Sequence, residues 1–80
     1  MRPEDIAALL QKQPFQPFRL HRTDGRTVDV RHPRLVGVAR TYLFVGQAAW
    51  NGPPDIFDRF EFVQLENIQR LELLSVGQYP

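Results

Sequence analysis

The chain has 80 residues, no cysteine, two histidines and a formal net charge of +1, which predicts one domain, residues 1–80, with a small core. The absence of cysteine excludes a disulfide framework and a thiolate metal site, and two histidines are too few to close a zinc shell, so we expect no metal and no other cofactor. No apolar run reaches the roughly 18 residues of a membrane span, and Glu4 and Asp5 stand where a signal peptide would be basic and then apolar, so we expect a cytoplasmic protein without a membrane partner.

The first predicted element is a short helix over residues 3–13. Pro3 suits the first turn, and the two acidic residues after it complement the positive end of the helix dipole. One apolar stripe follows the i, i+3, i+4 spacing: Ile6, Leu9 and Leu10. Pro14 ends the helix, which is too short to be stable alone, so we expect its stripe to pack on the sheet that follows.

A β-hairpin is predicted from Pro17 to Val30, because Asp24-Gly25 is a strong turn signal flanked by alternating apolar and polar residues. A two-residue loop would pair apolar with polar groups, whereas a three-residue loop over residues 23–25 separates them onto two faces. The expected pairs are Phe18 with Val30, Leu20 with Val28, Arg19 with Asp29, and His21 with Thr27. We therefore expect a type I turn with Gly25 in the left-handed conformation of a G1 bulge.

Two strand-forming segments follow an interruption at His32-Pro33, where proline lacks the amide hydrogen. Residues 35–39 and 42–45 are rich in strand formers, and Arg40-Thr41 between them is either a tight turn or a bend in one long strand. Residues 47–58 are predicted to be a loop. Its large apolar side chains either pack against the end of the β-structure or offer a contact patch to a partner protein: Trp50, Ile56 and Phe57.

The last segment, residues 59–74, permits either a helix or two strands. We prefer two strands broken by a tight turn at Glu66-Asn67, followed by a frayed tail over residues 75–80. Alternation assigns several apolar side chains to the core: Phe18, Phe60, Phe62, Leu71 and Leu73. The predicted fold is mainly β with one N-terminal helix, either a small Sm-like barrel or a strongly bent antiparallel sheet of about five strands.

The order of these elements resembles that of the Sm/LSm and Hfq small barrels. Residues 17–20 followed by 24–26 are similar to the first Sm motif, and residues 65–68 look like the short turn of the second. The words P-F-R-x-H-x-T-D-G-R and V-R-H-P are also similar to those of short uncharacterised bacterial proteins, which imply no activity. The Sm resemblance implies a homo-oligomer that pairs the penultimate strand of one subunit with the last strand of the next, within residues 59–74.

The RNA pocket of those families does not carry over to this chain. The Sm-type uridine pocket uses an aspartate and an asparagine near the end of the middle strand, where residues 38–42 read V-A-R-T-Y. The lysine and histidine of the final turn in Hfq correspond here to Glu66 and Asn67, which reverses the charge. The resemblance therefore implies the architecture without the pocket.

Arginine is concentrated in the middle of the chain. Between Phe18 and Gly46 there are six arginines and two aspartates, while the remainder of the chain is net acidic. Arginine suits bidentate contacts with phosphate or carboxylate. Two other causes explain the arginines equally well: GC-rich coding favours arginine over lysine, and the solvent-facing sides of strands need charged residues. Residues 31–34 form a short cationic segment that suits the same groups. The predicted anion-binding or nucleic-acid-binding residues are Arg19, Arg22, Arg26, Arg31, His32, Arg34 and Arg40.

No catalytic constellation is present in the sequence. Ser75 has no histidine at the spacing of a general base, His21 is expected on the wet face of a strand, and no glycine-rich loop opens a helix to hold a nucleotide. We therefore expect a non-enzymatic oligomeric binding module with no evident small-molecule substrate and with RNA as the first ligand to test. The alternative is a protein–protein adaptor that binds through Trp50, Ile56 and Phe57 and ignores nucleic acid.

Overall fold

The structure, a computed structural model, describes residues 1–47 and 59–74. Within these residues it contains one helix and six strands in two three-stranded antiparallel sheets. The bounds are α1 Pro3–Leu10, β1 Phe18–Arg22, β2 Thr27–Val30, β3 Val36–Val38, β4 Tyr42–Gln47, β5 Arg59–Gln64 and β6 Ile68–Leu73. The prediction of a mainly β fold with an N-terminal helix is confirmed.

The two sheets have the strand orders β2-β1-β6 and β3-β4-β5. Short 3-10 turns, Pro33–Leu35 and Leu65–Asn67, carry the chain from one sheet to the other. No ladder between the described strands closes the sheets into a barrel, so the structure fits the bent-sheet form of the prediction, with six strands in two sheets rather than about five in one. Proline at the start of the first 3-10 turn cannot donate to a ladder, which is why the middle of the chain forms separate strands β2 and β3.

The hairpin of β1 and β2 has the predicted three-residue loop. The Arg22 N–H donates to the Arg26 carbonyl at 2.8 Å, and the Gly25 N–H donates to the Arg22 carbonyl at 3.0 Å. Gly25 has a φ of +89°, as the G1 bulge requires. All four predicted pairs are observed: Phe18 with Val30, Arg19 with Asp29, Leu20 with Val28, and His21 with Thr27.

Replacing Gly25 by valine is expected to lower the free energy of unfolding by about 1 kcal/mol or more. A Cβ at Gly25 would meet no atom within 4 Å, so the loss comes from the left-handed backbone conformation alone. Urea denaturation measures it, with Gly25→Asn as the control because asparagine tolerates this conformation better than valine. Equal losses in the two variants would contradict the backbone explanation.

The structure decides between the two alternatives that the sequence left open at Arg40-Thr41, and it has two strands in the last segment, as preferred. Arg40 and Thr41 form a tight turn between β3 and β4, where the Ala39 N–H donates to the Tyr42 carbonyl at 2.8 Å. The last segment is two strands separated by the 3-10 turn Leu65–Asn67. The helix ends at Leu10, earlier than the predicted residue 13, and its last turn closes with the Gln11 N–H donating to Ala7 O at 3.2 Å.

The core lies between the two sheets and is covered by α1. Ile6 of the predicted helical stripe is fully buried, and Leu9 and Leu10 pack against the core. The largest fully buried side chains are Phe18, Ile6, Leu20, Leu43, Val30, Val45 and Val63. No helix in the described part of the chain is long and apolar enough to cross a membrane.

Three side chains that we predicted to be buried are exposed. Phe60 is 45%, Phe62 is 65% and Leu73 is 48% exposed. On β5 it is Val63, opposite the buried Leu43, that faces the core, so Phe60 and Phe62 lie on the outer face. Leu73 is the last residue of β6, an edge strand that has no further neighbour among the described strands.

Candidate functional site

The outer face of β4 and β5 carries an aromatic surface, which we define as Tyr42, Phe44, Phe60 and Phe62. The ring centroids of Phe44 and Phe60 are 5.5 Å apart in an edge-to-face arrangement. Phe62 is 6.0 Å from Tyr42 and 6.2 Å from Phe44, so the rings form one continuous cluster. These separations are typical of favourable aromatic pairs, and three of the rings remain exposed to solvent.

A glycine allows the ring of Phe44 to lie where it does. Gly37 of β3 is directly opposite Phe44, and the ring covers the place that a Cβ would occupy. Any larger residue would displace the ring from Gly37. The aromatic surface is therefore supported by three neighbouring strands, although only β4 and β5 contribute rings.

One backbone edge of β5 has no strand partner among the described residues, because β5 is the last strand of its sheet. The Leu65 N–H donates to the Thr41 carbonyl at 3.0 Å, and this hydrogen bond shows which residues of β5 bond to β4 and which do not. Odd-numbered residues of β5 consequently bond to β4, and Phe62 and Gln64 direct their backbone groups outward.

An arginine from the other sheet reaches this edge. Nη2 of Arg22 donates to the Phe62 carbonyl at 3.0 Å and lies 3.7 Å from Oε2 of Glu61. The Arg22 side chain is only 11% exposed, and its Nε is buried without a hydrogen-bond partner. Arg22 is thus a link between the two sheets, and it is not available to bind phosphate.

β6 also has an edge without a strand partner in the described part of the chain. The Leu74 N–H donates to the Pro17 carbonyl at 2.9 Å, so even-numbered residues of this segment bond to β1. Leu71 and Leu73 therefore direct their backbone groups away from β1. These two edges belong to consecutive strands, β5 and β6, while β2 and β3 are the edge strands on the other side of each described sheet.

The structure does not gather the predicted anion-binding residues at one site, although Arg31 and His32 line the same cavity. Arg19 donates to both carboxylate oxygens of Asp29 at 2.6 and 3.1 Å, and Arg31 lies 3.4 Å from the same carboxylate. Arg26 pairs with Asp24 at 3.0 Å. Arg22 is engaged as described above, so carboxylates compensate much of this arginine set.

The side chains of His32, Arg34 and Arg40 make no hydrogen bond or ion pair with the described residues. Arg34 lies in the first 3-10 turn and Arg40 in the turn between β3 and β4, at opposite ends of β3. They do not form a single patch. The predicted partner-binding residues Trp50, Ile56 and Phe57 lie outside the described residues.

His21 lies on the polar face of β1, as predicted, and its Nε2 is 2.9 Å from Oε1 of Glu72 on β6. This hydrogen bond is the main reason that the pKa of Glu72 is below its usual value. Within residues 1–47 and 59–74, no group of three or more histidine or acidic side chains is arranged to hold a metal ion.

Replacing Asp29 by asparagine is expected to lower the free energy of unfolding by about 1 kcal/mol at pH 7, because the part-buried Arg19 loses a bidentate acceptor. Hydrogen bonding from Arg19 holds the pKa of Asp29 below its usual value. Such a carboxyl stabilises the fold above the unfolded pKa of about 4 and loses that contribution as the pH falls through the folded pKa.

Urea denaturation at pH 7 and at pH 3 measures this effect. The difference between the wild type and Asp29→Asn should shrink at the lower pH. The control is Asp24→Asn, since Asp24 and Arg26 are 53% and 71% exposed, and an exposed pair of this kind contributes less. A difference that is the same at both pH values would contradict the assignment.

Comparisons with known proteins give no relative for this chain. A scan against protein-family models, a search of curated proteins and a search of solved structures each find no match. The resemblance to Sm/LSm and Hfq proteins is therefore supported only by the motifs and the order of elements.

Proposed function

We propose that the chain is a non-enzymatic binding module that self-associates through β5 and β6, with RNA as the first ligand to test. One observation carries this proposal: of the four edge strands in the described part of the chain, β5 and β6 are the ones that carry exposed large apolar side chains. Of the five that are exposed in the described part of the chain, Phe60, Phe62 and Leu73 lie on β5 and β6, and Tyr42 contacts Phe62.

Pairing β5 of one copy with β6 of the next would give each of these two edges a strand partner. An unpaired strand edge is a template for pairing with another chain, and exposed apolar side chains beside it add a driving force. These are also the penultimate and last strands, the pair that the Sm/LSm resemblance assigns to the subunit seam. Such a contact joins two different surfaces, so it forms a ring when the rotation between copies closes.

Two features support RNA as the ligand. Arg34 and Arg40 are exposed and make no ion pair with the described residues, and repetition around an oligomer would multiply their weak contacts with phosphate. Exposed aromatic rings on a sheet are also suitable platforms for unpaired bases. The proposal includes the cytoplasmic location expected from the sequence.

The alternative, a protein–protein adaptor, is favoured by the ion pairs of Arg19, Arg26 and Arg31. These pairs leave the strand faces with little uncompensated positive charge, while the aromatic surface stays exposed. An adaptor would bind the apolar side chains of another protein there, and its affinity would respond little to salt.

Light scattering on the purified chain, at low and high salt, tests self-association. We expect a multiple of the 9.3 kDa chain mass at both salt concentrations, since the contact is mainly apolar and backbone-mediated. A monomer at every concentration would contradict the proposal. The 260/280 nm absorbance ratio of the same sample shows whether nucleic acid is bound.

Fluorescence anisotropy with a labelled single-stranded RNA separates the two candidate ligands. For RNA binding we expect affinity to fall steeply with salt and the double variant Arg34→Gln, Arg40→Gln to bind more weakly with a smaller salt slope. The control is Arg2→Gln, because Arg2 is an exposed arginine that already pairs with Glu4 at 3.1 Å. An assembled protein that binds no RNA would support the adaptor instead.

A further inference from the structure

A cavity of about 460 Å³ lies where the two sheets part. Thr27, Val28 and Asp29 of β2 all line it, and consecutive residues of a strand point to opposite faces. The cavity therefore runs along the edge of β2 rather than over one face. Residues 45–47, which are consecutive at the end of β4, also line the cavity and form the wall opposite β2.

The β2 edge offers unpaired backbone groups to this cavity. The Arg22 N–H donates to the Arg26 carbonyl. Because hydrogen-bonded pairs alternate along an antiparallel ladder, Val28 and Val30 of β2 also bond to β1. The odd-numbered residues of β2 direct their backbone groups the other way. No strand among the described residues pairs with that edge.

Three donor side chains line the cavity from two directions. Arg31 and His32 follow β2, and Arg59 begins β5. The guanidinium of Arg59 makes no hydrogen bond or ion pair with the described residues. His32 presents a ring N–H in either neutral tautomer and in the protonated form.

The two carboxylates among the described lining residues are paired with three arginines, of which only Arg31 itself lines the cavity. Asp29 accepts from Arg19 at 2.6 Å, and Glu61 lies 3.7 Å from Arg22. The hydrogen bonds to Asp29 keep its pKa low, so it remains an anion paired with arginine. Counting Arg31 and Arg59 of the lining together with Arg19 and Arg22, four arginines surround these two carboxylates.

We propose that this cavity binds a small molecule carrying an oxyanion, either a carboxylate or a phosphate. Arg59 supplies charge-assisted donors, and His32 and the outward backbone N–H groups of Thr27 and Asp29 add neutral ones. The volume lies within the usual range for small-molecule sites. Every lining residue comes from one chain, so the site does not depend on the proposed self-association.

Amide NMR of the ¹⁵N-labelled protein tests the proposal, with sodium succinate and sodium phosphate as separate probes at constant ionic strength. We expect saturable shifts concentrated at Thr27, Asp29, Gly46 and Arg59, with half-saturation at about millimolar concentration or below. The probe that binds more tightly identifies the preferred oxyanion. Shifts that do not saturate, or that spread over exposed arginines such as Arg2, would overturn the proposal.

A charge-neutral variant makes the test specific. Arg59→Gln should weaken binding of the preferred probe by about tenfold or more, while Arg70→Gln, which removes an exposed arginine that does not line the cavity, should leave it unchanged. Equal affinity of Arg59→Gln and the wild type would overturn the proposal. The solution mass of each sample, measured in parallel, distinguishes loss of the site from loss of assembly.

Discussion

Replacing Phe18 by alanine should lower the free energy of unfolding by about 3 to 5 kcal/mol. Phe18 is fully buried in β1, between β2 and β6, and its ring centroid is 6.1 Å from that of Phe15. A domain of this size is expected to have only about 5 kcal/mol or slightly more in total, so the variant should be at the limit of folding. Urea denaturation followed by circular dichroism measures the loss.

The matched control is Phe62→Ala, the same change at a ring that is 65% exposed. We expect a loss of about 0.5 kcal/mol within a single copy, as for most exposed positions. Both variants are measured at the lowest practical concentration, because a bound copy would add concentration-dependent stability. Similar losses at the two positions would contradict the placement of Phe62 outside the core.

Replacing Gln64 by proline should abolish self-association while leaving the single copy folded. The Gln64 N–H points away from β4, and its φ of −71° is close to the value that proline imposes. Val63 before it is already in a strand, the conformation that a following proline favours. Within the chain the change therefore removes no hydrogen bond between strands. A strand of another copy that approaches the β5 edge would find no N–H donor at residue 64 and would clash with the proline ring.

Light scattering at a concentration where the wild type is assembled measures this effect, and we expect Gln64→Pro to run at the 9.3 kDa monomer mass. Gln64→Ala is the control, since it removes the same side chain but keeps the N–H and should still assemble. A Gln64→Pro protein of wild-type mass would contradict pairing at this edge of β5.

The hairpin could be predicted in full because everything that determines it is local. Its turn residues require a left-handed glycine, and only one loop length puts Phe18 opposite Val30 and Arg19 opposite Asp29. The same register places Arg19 opposite Asp29, and in the structure the two side chains form an ion pair. That such ion pairs leave little uncompensated positive charge to bind phosphate follows only from the positions of the carboxylates in the folded chain.

The face of β5 could not be predicted by the same method, because both of its faces carry apolar residues. Phe60 and Phe62 alternate with Glu61 and Val63, and the larger rings were assigned to the core. Val63 and Leu65 are two residues apart, so their side chains point to the same face. Because Leu65 is buried in the following turn, this spacing is the signal that would have given the correct face of β5.

Contacts between distant parts of the chain were also beyond the sequence. The reach of Arg22 from β1 to the β5 edge depends on how the two sheets pack, and so does the meeting of Arg59 with His32 around one cavity. Their sequence separation gives no periodic signal. The aromatic surface and the cavity therefore became visible only in the folded chain.

Hydrogen exchange at the amides of Phe62 and Gln64 tests the self-association most directly. These N–H groups point away from β4 and have no acceptor in the described part of the chain, whereas those of Glu61 and Val63 bond to β4 and serve as an internal reference. We expect slow exchange at Phe62 and Gln64 that becomes fast on dilution, because the strand of another copy protects these amides only while the two copies are paired. Fast exchange at both amides at every protein concentration, with Glu61 and Val63 still protected, would contradict it.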